Sequence, residues 1–106
     1  MHLNDYQDKA TEVSTHPLGG PRTCLEYGSL ALCGEAGELA NLIKKHWRDA
    51  EVTGTAVTLE QRDQIIDELG DVLWYVAFVA TVLGVDLANV AYVNIAKLVE
   101  RKEKGK

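Results

Sequence analysis

Two pairs of carboxylates stand at matched spacing: Glu35 and Glu38 in GEAGELANLIKK, and Glu68 and Asp71 in DELGDVLWYV. On a helix, residues three apart lie about 60° from each other, so each pair presents its acids on one face. Leu39 and Leu42 flank the first pair, Ile65 and Val72 the second. Both pairs thus border an apolar stripe, and packing the two helices would bring four carboxylates together. Like charges at this spacing cost stability unless they are protonated, paired with cations or bound to metal. An all-oxygen set suits a hard ion such as Mg2+ or Mn2+, and Mg2+ commonly combines a few carboxylates with the phosphates of a substrate. Acidic pairs on helices are also common as plain solvated charge, and the spacing leaves both readings open. A di-iron centre is disfavoured, because such bundles use Glu-x-x-His pairs and His16 and His46 stand at other spacings.

The elements that must position these acids are helical. Asn4 or Asp5 as a cap, with Tyr6, Ala10 and Val13 on one side, predicts a first helix to about Ser14. The stretch STHPLGGPRT carries both prolines and reads as a loop. A second helix is expected from about Cys24 to Trp47, with Leu25, Leu32, Leu39, Leu42 and Ile43 as its stripe. The polar run RDAEVTGTAVT reads as a connection of moderate length. Thr58 followed by Gln61 is a capping-box pattern for a third helix, about Leu59 to Leu83, with Gly84 ending it. Asp86 would cap a fourth, reaching roughly Lys102, with Leu87, Val90, Ala91, Ile95 and Leu98 at helical spacing. AVT and FVATV lack the sustained alternation of strands. The expected fold is all-α, a compact bundle of three to four main helices.

Composition bounds what such a bundle can do. At 106 residues one domain, 1–106, is expected, with a modest core that self-association would extend. A net charge of −5 argues against a broad nucleic-acid or anionic-membrane surface. Val72 to Val85 is an apolar run of 14 residues, short of the roughly 20 that a membrane span needs, and acids bracket it. Cys24 and Cys33 make neither a disulfide framework nor a zinc set, and with no signal peptide visible the cytoplasm is the expected location.

Taken together, GEAGELANLIKKHWRD, DELGDVLWYVAFVA and NVAYVNIAKLVERKEKG make the chain resemble the MazG-like nucleotide pyrophosphohydrolases, over about Tyr6 to Gly105. That resemblance implies an all-α enzyme that hydrolyses a nucleoside triphosphate to the monophosphate and pyrophosphate with Mg2+. It implies that Glu35, Glu38, Glu68 and Asp71 hold metal, with Glu35 the candidate to activate water and Glu38 beside it in the catalytic set. Asn94, Lys97 and Arg101 match the family's late polar positions near the phosphates, with Lys45 a further phosphate contact and Lys44 its rival. Many members carry a doubled acid, E-E-x-x-E, where this chain has Gly34 before Glu35. The resemblance also points to a homodimer or homotetramer with sites near subunit interfaces.

Other residues admit two readings each. Tyr75, one turn after Asp71, either contacts the nucleotide or belongs to the core. Trp47 either stacks a base or closes the end of its helix. His16 is expected at the surface, and Trp74 and Phe78 in packing. Helix three is apolar nearly all round from Val72 to Val85, which a single small bundle hardly covers. Against the enzyme stand a non-catalytic helical module that binds nucleotide or a partner, and a related pyrophosphatase for dUTP or phosphoribosyl-ATP.

Overall fold

In a computed structural model, which describes residues 1–14, 19–54 and 57–105, the chain forms four helices. These are α1 (Leu3–Glu12), α2 (Pro21–Thr53), α3 (Leu59–Val82) and α4 (Leu87–Glu103). Helix makes up 84% of the structure, and no strand occurs among the described residues.

Local chemistry sets the ends. Pro21 opens α2 instead of lying in a loop, since the first turn needs no N–H from it. The same helix runs on to Thr53, six residues beyond the expected Trp47, because nothing in RDAEVT breaks a helix before Gly54 at φ +71°. The connection to α3 shrinks accordingly. Thr58 and Gln61 form the expected capping box, with Gln61 N–H donating to Thr58 Oγ1 at 3.1 Å and Thr58 N–H to Gln61 Oε1 at 2.9 Å. Gly84, φ +73°, closes α3, and the Val85 and Gly84 N–H groups donate back to the Ala80 and Thr81 carbonyls.

The structure moves the cap of α1 to His2 and keeps Asp86 at that of α4. Asn4 and Asp5 both lie inside α1, where Asp5 Oδ2 accepts from the His2 N–H at 3.1 Å. Asp86 occupies the N-cap of α4 but makes no side-chain cap bond. The first N–H groups of α4 go to α1 instead: Leu87 N–H donates to Gln7 Oε1 at 2.8 Å and Ala88 N–H to Asn4 Oδ1 at 3.0 Å. Gln7 is buried, and its amide also donates to Thr81 Oγ1 and to the Val85 carbonyl. One side chain thereby ties α1 to the end of α3 and the start of α4.

Helices α2 and α3 form the main pair, an antiparallel hairpin that comes close at Gly28. A Cβ there would stand 2.8 Å from Phe78 Cδ1 and 3.1 Å from Val79 Cγ2. Helix α1 crosses α3, with Ala10, Ala77 and Leu87 buried and Tyr6, Trp74 and Val76 packed against them. Helix α4 leaves α3 at 100° and touches α1 and α3 but not α2 among the described residues. Among the described residues no single helix is long and apolar enough to cross a membrane.

Candidate metal centre

The α2–α3 pairing brings the two acidic motifs face to face. Oxygens of Glu35, Glu68 and Asp71 all lie within 4.8 Å of one another. Glu38 is exposed and stays outside that group, yet it shares a hydrogen bond with Glu35 and its charge raises the proton affinity of both Glu35 and Glu68. The Glu35 carboxyl is pushed up by desolvation first, then by the charges of Glu38, Asp71 and Glu68. Glu68 is pushed up by desolvation and by Asp71, Glu38 and Asp67, while a hydrogen bond from Glu35 works the other way. Even so, Oε2 of Glu35 and Oε2 of Glu68 are shielded from solvent with no hydrogen-bond partner among the described residues. Converging oxygens with unused, desolvated lone pairs fit a hard divalent cation, which would be held by Glu35, Glu68 and Asp71 with Glu38 alongside.

An aromatic wall bounds this centre on one side. Tyr27 and Tyr75 meet at 6.3 Å between ring centroids, and Trp74 and Phe78 stack at 5.9 Å. A hydrogen bond to Tyr27, then desolvation and the nearby charges of Tyr27, Glu35 and Asp71, push the Tyr75 hydroxyl up to about 12. Tyr75 is therefore a neutral hydroxyl at physiological pH, suited to hydrogen bonding and not to proton abstraction. Tyr6 of α1 approaches from above α3: burial raises its hydroxyl and the charge of Asp71 adds to the shift.

The remaining expected residues divide. Lys45 lines a pocket next to Glu68. Trp47 is 65% exposed. Asn94, Lys97 and Arg101 are exposed along α4, which among the described residues makes no contact with α2, so one chain does not carry them to Glu35 and Glu38. Trp74 and Phe78 pack as expected, lining an apolar cavity with Ala10 and Ala77. His16 lies outside the described residues. Tyr6, Tyr27 and the ring of His46 were not expected near the site. For Tyr27 and Tyr6 the available signal was an aromatic at the acid-facing register of its helix.

The MazG nucleotide pyrophosphohydrolase domain model matches residues 26–105, which include all four acids. The chain belongs to this family. Its match spans the α2–α3 hairpin and α4, the elements that carry every MazG-type polar position considered above. Gene 37 protein of Mycobacterium phage L5 is 42% identical over 99% of this chain and 92% of its own length. The uncharacterized protein YvdC of Bacillus subtilis (strain 168) is 34% identical over 74% of this chain and 79% of its own length. No solved structure matches the chain.

Proposed function

We propose that this chain is a Mg2+-dependent nucleoside triphosphate pyrophosphohydrolase of the cytoplasmic nucleotide pool, with Mn2+ as a possible substitute ion. The observation that carries the reading is the convergence of Glu35, Glu68 and Asp71 oxygens within 4.8 Å, in a MazG-family chain. A divalent ion held there would neutralise phosphate charge and lower the pKa of a bound water. Glu35, beside that ion, is our candidate to hold the water by a hydrogen bond and take its proton. Tyr75 offers a neutral hydroxyl for a phosphate oxygen, and Lys45 a cation beside Glu68.

Asn94, Lys97 and Arg101 suit the departing pyrophosphate, whose charge needs donors and cations. Since α4 does not reach α2 within one chain, a second copy is their source in this reading, as a homodimer or homotetramer. The test is pyrophosphate release from ribo- and deoxynucleoside triphosphates with and without Mg2+, beside Glu38→Gln. Release should need metal and fall by about 10- to 100-fold in the variant, the range for a group that orients a metal's ligands. Equal release from both proteins would remove Glu38 from the mechanism. No release from any nucleotide would favour a binding module.

A further inference from the structure

The α2–α3 seam continues past the carboxylates. Beyond Glu68, toward the start of α3, it opens into a pocket of about 380 Å3. Its walls include Lys45, His46 and Asp49 of α2 and Gln64, Asp67 and Glu68 of α3. The volume falls within the range of small-molecule sites, about 300–1,000 Å3. Both ring nitrogens of His46 are shielded from solvent and have no hydrogen-bond partner among the described residues. Desolvated, unused donors and acceptors of this kind call for an explanation, and a ligand that completes them is one.

We propose that this pocket takes the pentose of a bound nucleotide, with His46 and Gln64 hydrogen-bonding its hydroxyl groups. The inference rests on the pyrophosphohydrolase reading above. Asp49 and Asp67 share the lining with Lys45, which favours a neutral group over a further phosphate in this pocket. Among the described lining residues the one aromatic ring is that of His46, and its unpartnered nitrogens call for a hydrogen-bonding group in the ring plane, not a base stacked on its face. A sugar hydroxyl both donates and accepts, as imidazole and the Gln64 amide do, and the carboxylates accept further. Position agrees as well. Glu68 belongs to both the acidic centre and the pocket, and Gln64 lies one turn, about 6 Å, further along α3. In a triphosphate cleaved between its α- and β-phosphates, the pentose is the next group beyond the α-phosphate.

The experiment compares kcat/KM for base-matched ribo-, 2′-deoxy- and 2′,3′-dideoxynucleoside triphosphates in wild type, His46→Leu, Gln64→Ala and His46→Gln. Wild type should prefer a hydroxyl-bearing sugar over the dideoxy sugar by about tenfold or more. That ratio should fall toward one in His46→Leu and Gln64→Ala, while His46→Gln, which keeps a donor and an acceptor, retains part of it. A ratio within one variant is insensitive to a general loss of folded protein. Wild type without the preference, or variants with it intact, would overturn the pocket and leave the hydrolase reading standing. Should wild type release no pyrophosphate at all, the hydrolase reading fails. The pocket is then decided by proton–carbon NMR of the His46 ring with Mg2+ and α,β-methylene triphosphates, ribo against dideoxy. Ring signals moved by the ribo compound alone would uphold the assignment, and unmoved signals would overturn it.

Discussion

Glu35 and Glu68 keep their protons to higher pH than free carboxyls do, first because they are desolvated between α2 and α3 and then because their neighbours are negative. The sign of the consequence follows from proton linkage. Above about pH 4.5, the ordinary value, the native state binds more protons than the unfolded chain, so the metal-free fold loses stability as pH rises through the raised values. A divalent ion must displace those protons, and its affinity therefore rises with pH over the same window. Thermal unfolding at about pH 5 and about pH 7.5, with and without Mg2+, reads both effects. The metal-free Tm should decline between the two, and the upshift caused by Mg2+ should be larger at the higher pH. Glu35→Gln should flatten both dependences, and an Mg2+ upshift that is the same at both pH values would contradict the linkage. The spacing of these acids was legible from the chain alone, because a three-residue repeat on a helix fixes a shared face. His46 was not. It was weighed against metal-ligand spacing, whereas what sets it apart is the shielding of its nitrogens, which depends on the whole α2–α3 pairing.

At the scale of elements, the acids converge only because α2 and α3 approach closely at one end of their hairpin. Gly28 marks that approach: a methyl group there would press on Phe78, whose ring is itself held against Tyr27 at 6.1 Å and Trp74 at 5.9 Å. Gly70, also in a helix interior, has nothing within 4 Å of an added Cβ. Gly→Ala gains about 1 kcal/mol of helix propensity at either position. At Gly28 that gain is opposed by overpacking of about 1–3 kcal/mol, so a net loss near 1 kcal/mol is expected. Chemical denaturation should place Gly28→Ala below wild type and Gly70→Ala above it. If the two moved together, propensity and not packing would set the response. Helix identity was readable where local chemistry is strong, as at Thr58–Gln61 and Gly84. The extent of α2 was underestimated because polarity in RDAEVT resembles a loop, although none of its residues stops a helix. The capping of α4 by Asn4 and Gln7 could not be read at all, since those partners lie 80 and 84 positions apart in sequence.

The whole molecule is open where a self-sufficient chain would be closed. Its radius of gyration is 17.1 Å, against about 13 Å for a compact chain of this length. No large side chain is fully buried among the described residues, and Val93, Ile95, Leu98 and Val99 of α4 are each roughly half exposed. An apolar helix projecting at 100° from its neighbour needs a covering surface, and a second copy supplies both cover and the α4 polar residues that one chain keeps away from its own α2. The apolarity of helix three suggested this from the sequence, but the exposure of α4 depends on an interhelical angle that periodicity does not encode. Sedimentation velocity should therefore give a mass of two or four chains. Paired Ile95→Asp and Leu98→Asp substitutions should shift the protein to single chains, because a charge cannot be buried unpaired in an apolar interface. Pyrophosphate release should fall with that shift even though Glu35, Glu38, Glu68 and Asp71 are untouched. A wild-type protein that sediments as one chain and still hydrolyses nucleotide would mean that one copy builds the whole site and would overturn the assignment of Asn94, Lys97 and Arg101 to a second copy.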